Sequence, residues 1–282
     1  MAYKLGVLIV HGMGSQKPDF AEPMKRGLRR CIAAGGGDPA EVYWEPVYWA
    51  GFLGEKQKKL WDRLSNNRSF RYNSIRKFVV GAMGDAVGYQ QSPTRAGSVY
   101  PDIHNLVLAH LQKMRRRLGN ADLPLVILAH SLGSVIMSDY IWDRQKHYKP
   151  RLYGRTAFER METVSLVVTF GSTLPLFSLA YYPVVSFAFP PAGLKRFFPP
   201  GTAVAKISQA AKWLNYYDRD DVLGYPLKPT SPSYNKNVTE DKQVNVGGVF
   251  SSWNPLSHTA YWTDQDFCKP VARAINGVLS LL

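Results

Sequence analysis

The chain is short of cysteine, of unbroken apolar runs and of acids, and each shortage narrows what it can be. Cys31 and Cys268 are its two cysteines. They lie far apart without metal-type spacing, so a disulfide-stapled scaffold is not expected. Two structural thiols in a reducing compartment is the reading adopted, with a bridge between the chain ends as the alternative. The apolar run 5–10 is too short for a secretory h-region and ends at His11-Gly12. The most apolar later stretch, 174–194, is broken by Pro175, Pro183, Pro190 and Pro191, which argues against a spanning helix. The cytoplasm is the expected location, with a peripheral position at a membrane surface as its variant. No two histidines have the spacing of H-E-x-x-H, so no metal is expected. Gly35-Gly36-Gly37 lacks the lysine of a phosphate loop and reads as a helix terminator; no cofactor is expected. Internal repeats and low-complexity tracts are lacking.

Thirty-five Lys and Arg stand against twenty-one Asp and Glu, a formal charge of +14. The excess is concentrated: residues 56–117 hold thirteen basic residues and three acids, Asp62, Asp85 and Asp102. This window reads either as a solvated face or as a surface drawn to anionic lipid headgroups or an acidic partner. No zinc-finger, helix-turn-helix or RNA-binding signature accompanies the charge, so nucleic acid is not an expected partner.

What is present is an α/β alternation. With 45% apolar residues over 282 positions the chain can bury a sizeable core. Strands are predicted at 5–10, 42–48, 125–129, 164–170, 213–217 and 243–246, separated by helical patterns. Such alternation predicts parallel strands joined by crossover helices around one mostly parallel sheet. The clearest helix carries Ile103, Leu106, Val107, His110, Leu111, Met114 and Leu118 at helical spacing, and a second runs over 264–282. Segments 51–98 and 173–201 fit the alternation poorly and read as cap or lid insertions within a single domain spanning 1–282.

The predicted strand 125–129 runs into Ala129-His130-Ser131-Leu132-Gly133. Small residues two before and two after a serine let the chain make the strained strand-to-helix turn that exposes Oγ. Such a string arises by chance about 0.2 times in a chain of this length, so its context matters. An activated serine needs an acid after a later strand and then a histidine. Residues 213–217 are followed by Asp218-Arg219-Asp220-Asp221-Val222, and Ser257-His258 follows the last predicted strand.

On these residues, together with His11-Gly12-Met13-Gly14 after the first strand, the chain resembles the α/β-hydrolase superfamily, of the lipase or esterase kind. The resemblance implies a catalytic triad of Ser131, Asp220 and His258. The Asp-x-aliphatic form of the acid selects Asp220, with Asp221 the runner-up and Asp218 third. It implies an oxyanion hole from the backbone N–H groups of Met13 and Leu132, with Gly12 as an alternative to Met13. His11, Gly12, Gly14, His130 and Gly133 would support these turns. It also implies a trimmed core of about six strands, since the two antiparallel strands that commonly precede the His-Gly loop have no counterpart.

The expected chemistry is cleavage of a carboxylic ester through an acyl-enzyme. The Phe- and Tyr-rich insertion offers Phe177, Tyr181 and Tyr182 as a candidate acyl pocket for lipid-like or apolar esters. An ordinary packed insertion is the competing reading. An acyltransferase, a thioesterase, or a non-catalytic membrane-surface or protein-binding member of the fold would carry the same sequence features.

Overall fold

The computed structural model describes residues 3–14, 16–66, 71–89, 99–146, 154–198, 205–247 and 257–282. The first half runs β1 (Leu5–Val10), α1 (Glu22–Ala34), β2 (Val42–Val47), α2 (Gly51–Ser65), α3 (Asn73–Tyr89), α4 (Tyr100–Arg117), β3 (Leu125–His130) and α5 (Leu132–Lys146). The second half runs β4 (Val164–Phe170), α6 (Leu174–Ser178), α7 (Leu194–Phe197), α8 (Lys206–Ala210), β5 (Lys212–Asp218), α9 (Pro232–Asn237), β6 (Glu240–Val244), α10 (Ser257–Ala260) and α11 (Gln265–Leu279). The strands form one six-stranded parallel sheet in the order β2-β1-β3-β4-β5-β6.

Every residue of β1, β3 and β4 is buried, as strands covered by helices on both faces require. Alternation divides their side chains between two layers. Leu5, Val7, Ile9, Val126 and Leu128 face the layer containing α1 and α11, where Leu28, Ile32, Phe267, Val271 and Ile275 pack. Leu8, Val10, Leu125, Ile127 and Ala129 face the other layer, filled by Ile103, Val107 and Leu111 of α4 and by Val135 and Ile136 of α5. α4 ends in Arg115, Arg116 and Arg117, cations at the negative end of the helix dipole. Among the described residues no helix is long and apolar enough to cross a membrane.

The strand order fixes where a site can form. From β1 the chain passes to β2 on one side; from β3 it passes to β4 on the other. The adjacent C-terminal ends of β1 and β3 therefore flank a topological switch point, where loops diverge and leave a crevice. Parallel pairing with Val10 opposite Ala129 brings both ends out level.

The structure moves one predicted strand. β6 occupies Glu240–Val244 rather than 243–246. Its residues are polar because it is an edge strand, and Asp241 is used for bonding: its carboxylate accepts from the N–H groups of Leu227 and Lys228 and from Asn215 Nδ2. Pairing, rather than an apolar pattern, defines this strand. The poorly patterned 51–98 insertion contains α2 and α3, while its residues 67–70 and 90–98 lie outside the described set. In the 173–201 insertion the described part contains the short α6 and α7.

Two glycines separate backbone need from simple helix propensity. A Cβ on Gly133 would lie 2.6 Å from the carbonyl oxygen of His11 and 2.7 Å from that of Val10, so α5 meets β1 only through a glycine. Gly54, on the exposed side of α2, has nothing within 4 Å. Urea unfolding should show Gly133→Ala destabilised by about 1–3 kcal/mol and Gly54→Ala stabilised by up to about 1 kcal/mol. Equal effects at the two sites would contradict the close approach of α5 to β1.

Candidate active site

Ser131 stands between β3 and α5 with φ 52°. That left-handed conformation is costly for a non-glycine residue and is held here from several sides. Its N–H donates to the Phe170 carbonyl at 3.0 Å. Ser134 Oγ donates to the Ser131 carbonyl at 2.5 Å and meets Ser172 Oγ at 2.7 Å. Gly12 is the tight neighbour: a Cβ there would come within 2.5 Å of Ser131 Cβ and 3.1 Å of Ser131 Oγ.

His258, on the short α10, reaches Ser131 from the far end of the chain. Ser131 Oγ lies 2.7 Å from His258 Nε2, and His258 Nδ1 lies 2.9 Å from both carboxylate oxygens of Asp221. A carboxylate only accepts, so Nδ1 carries the proton and Nε2 accepts from the serine hydroxyl. All three side chains are buried. Asp221 also accepts from the N–H of Leu223 at 3.0 Å and from the hydroxyl of Tyr261 at 3.2 Å. Burial works to raise its pKa, but the bonds from His258 and Leu223 outweigh it and hold the carboxyl below the usual aspartate value. Gly224 leaves the carboxylate room, since a Cβ there would fall 2.4 Å from Asp221 Oδ2.

The acid in contact with the histidine is thus Asp221 and not Asp220. Asp220 is exposed on the turn after β5, and its N–H donates to Asp218 Oδ1 at 2.8 Å. Asp218 is occupied by the backbone: its other oxygen accepts from the Val246 N–H at 2.6 Å, and its own N–H donates to the Tyr261 hydroxyl at 2.8 Å. Asp218 caps the turn from below, which rotates the next inward position to Asp221. The Asp-x-aliphatic pattern did not register this geometry.

The supporting histidines have separate tasks. His11 is fully buried and stacked on Trp49 with ring centroids 4.9 Å apart. Its Nδ1–H donates to the Gly12 carbonyl at 2.7 Å, and its Nε2 accepts from the Trp49 N–H at 3.1 Å. Burial lowers its pKa from 6.5 to about 4, against the opposing effect of the Gly12 bond, so it is neutral at pH 7. His130 donates from Nε2 to the His258 carbonyl at 2.7 Å and packs on the His258 ring at 4.7 Å. Burial, then the neighbouring His258, push its pKa well below the ordinary histidine value. A neutral donor is what a backbone carbonyl needs, and His130 fixes the main chain that carries His258.

The His-Gly loop is secured from the 51–98 insertion. Gly14, at φ 95°, donates its N–H to Asp85 Oδ2 of α3 at 2.6 Å, and Gln57 of α2 donates to Asp85 Oδ1 at 2.5 Å. Burial raises the Asp85 pKa. Met13 sits between the two anchored glycines, and Leu132 opens α5, so its N–H has no acceptor inside the helix. Among the described residues no three His, Cys, Asp or Glu side chains converge as a metal site.

The candidate acyl pocket is not formed by the residues expected to line it. Phe177 packs partly against the core, but Tyr181 is 54% exposed and Tyr182 is 99% exposed. The cause lies further along the segment. The N–H groups of Ser186, Ala188 and Phe189 bond to Ser233, Gln145 and Asn237, which draws the chain toward the far end of α5 and away from Ser131. The turn holding Tyr181 and Tyr182 is left projecting into water. Elsewhere, His104 contacts the Tyr89 hydroxyl at 3.0 Å and His110 contacts Glu45 at 2.5 Å. His147 lies outside the described residues.

Sequence reasoning missed Asp85 and Tyr261 as members of the site and gave His130 only a turn-supporting role. Tyr261 stands three residues after His258 and Ser134 three after Ser131, a helical-turn spacing that could have pointed to both. Asp85 is seventy-one residues from its Gly14 partner, and no local pattern signals it. No known protein-family model matches the chain, and no curated protein sequence matches it.

The neutral, buried His11 carries a pH signature. Because its folded pKa lies below the unfolded value, the unfolded chain takes up the proton first as pH falls. Its contribution to stability is complete above about 6.5 and declines toward pH 4, by about 3 kcal/mol in all. Urea unfolding across that window should give a curve for wild type that is steeper than for His11→Asn by about that amount. Parallel curves would contradict the buried neutral imidazole.

Proposed function

We propose that this protein is a serine hydrolase that cleaves carboxylic esters of apolar or lipid-like acids through an acyl-enzyme. The observation that carries the reading is the Ser131–His258–Asp221 chain of contacts at the switch point between β1 and β3. Nucleophile, base and orienting acid stand in hydrogen-bond sequence, and the base is aimed by a buried carboxylate.

Ser131 Oγ attacks the ester carbonyl while His258 Nε2 takes its proton. Asp221 keeps the imidazole in the Nδ1–H tautomer and stabilises the imidazolium that forms. The N–H groups of Met13 and Leu132 receive the developing oxyanion. Preorganised donors of this kind are each worth about 10²–10³ in turnover. His258 then protonates the departing alcohol, and water repeats the sequence to release the acid. The resemblance to lipase- and esterase-like α/β-hydrolases belongs to this proposal, as does the view of the sheet as a trimmed form of that fold. A cytoplasmic setting is part of the same reading, with α2 and α3 serving as a cap that braces the oxyanion loop through Asp85.

A second reading has one observation in its favour. Ser131 is fully buried, and exclusion of water from it favours acyl transfer to another acceptor. Product analysis with oxygen and thio esters, with and without an added alcohol acceptor, separates this outcome from hydrolysis.

The test of the proposal is covalent. A fluorophosphonate should modify wild type at Ser131, identified by peptide mass spectrometry, and should leave folded Ser131→Ala unmodified. A folded wild-type protein that resists the probe would contradict an activated serine and would favour a binding role for the fold.

A further inference from the structure

Thirteen large apolar side chains are exposed among the described residues, and all but Tyr3 lie in segments that leave the C-terminal edge of the sheet. That is the edge on which Ser131 stands. Phe52, Leu60 and Leu64 project from α2; Met83 and Val87 project from α3. After β4, Leu179 is 85% exposed and Tyr182 is 99% exposed, beside Leu176, Tyr181 and Val185. Tyr72, ahead of α3, and Val222, on the loop that carries Asp221, complete the set. Scattered exposed apolar residues need no explanation, but a concentration in the crossovers that follow β2 and β4 does.

Charge shares the location. Residues 51–89 contain eight Lys and Arg and three acids. Asp85 is spent on Gly14 and Asp62 pairs with Lys58, leaving Glu55 as the remaining acid of the segment. On α2 the exposed Phe52, Lys56, Lys59 and Arg63 recur at i, i+4, i+7 and i+11, which puts them within about 60° of one another on a helical wheel. Arg76, Met83 and Val87 repeat that spacing on α3. About 100–140° round the same helix Leu53 is buried in the core and Gln57 is bonded to Asp85, the side on which Leu60 and Leu64 also lie. The ridge after β4 lies beside α5, next to the junction of α3 and α4. Tyr181 lies within the electrostatic reach of Asp139 and Asp143, to which Tyr89 at the end of α3 and Tyr100 at the start of α4 donate.

We infer that this rim is a docking face for an anionic lipid bilayer, with Leu179 and Tyr182 entering the headgroup region and the cations of α2 meeting lipid phosphates. Mixed apolar and cationic stripes are the composition that binds such a surface: the apolar part gains from leaving water, and each cation near an anionic surface adds an increment of attraction. The inference rests on the hydrolase reading for its consequence, since docking in this orientation presents the Ser131 edge to esters of membrane lipids. Gly14 donates to Asp85 of α3, which also accepts from Gln57 of α2, so α3 directly and α2 through Asp85 are linked to the loop proposed to hold the oxyanion.

The experiment is co-sedimentation of Ser131→Ala, which cannot consume the lipid, with vesicles of phosphatidylcholine alone and of phosphatidylcholine mixed with phosphatidylglycerol. Two further variants carry Lys56→Glu/Lys59→Glu/Arg63→Glu and Leu179→Asp/Tyr182→Asp, and light scattering reports the state of association of each. All sites are exposed, so folding should survive. Binding is expected to require phosphatidylglycerol and to weaken with salt. It should fall about 100-fold with the charge reversals and at least about 10-fold with the apolar pair. Absence of binding to the mixed vesicles would overturn the inference, as would binding that survives both variants. Loss with the charge reversals alone would assign the face to an acidic soluble partner and overturn it. A dimer that the Leu179→Asp/Tyr182→Asp pair dissociates would assign the ridge to a second copy of this chain, with the same consequence. Fluorophosphonate labelling of wild type and of both surface variants is read in parallel, so a failed docking face with intact labelling is distinct from a failed hydrolase reading.

Discussion

Because β1 and β3 pair in parallel with Val10 opposite Ala129, the chains leaving both strands emerge at one level and turn in opposite directions. The rest of the site depends on this register. It sets Gly12 against Ser131 so closely that no side chain fits between them, and it lets α5 start on the main chain of β1 through Gly133. A slip of one residue would point Ser131 into the sheet and separate it from the His-Gly loop. Continuous aliphatic strands buried on both faces hold the register, so the apolar core and the geometry of the crevice are one constraint.

Around that fixed point the ionisable groups are sorted by what they can bond. His11 and His130 are buried among uncharged partners and driven neutral, which suits them to hold a loop and a carbonyl. Of the three histidines at the site, His258 is the one whose ring bonds to a carboxylate, and that carboxylate is kept ionised by three donors from two segments. Two buried imidazoles therefore hold structure while a third bridges a serine hydroxyl and a carboxylate, and neighbours, not residue type, make the difference.

The sheet and the serine turn were legible in the sequence because both are local. Runs such as 5–10 and 164–170 are continuous and apolar, and the small-residue pattern around Ser131 is a short-range steric requirement. β6 was misplaced because an edge strand is chosen by its neighbour β5 and by the bonds of Asp241, leaving no apolar signature. α2 and α3 were not resolved as helices, since α2 buries only Leu53 and exposes charged and apolar groups around the rest of its surface. The choice between Asp220 and Asp221 turned on which residue of one short loop Asp218 allowed to face inward. That is decided by bonds to Val246 and Tyr261, far along the chain. Tyr181 and Tyr182 failed as pocket walls for a related reason: contacts with Gln145 and α9 draw the following residues elsewhere.

The most direct test of the Ser131–His258–Asp221 assignment is a kinetic comparison of Asp221→Asn with Asp220→Asn on a soluble short-chain ester. Replacing the buried acid should favour the wrong imidazole tautomer and lower kcat by about 10⁴, whereas Asp220→Asn, on the exposed face of the turn, should stay within a few-fold of wild type. A large loss in Asp220→Asn with near-normal turnover in Asp221→Asn would contradict the proposed catalytic chain.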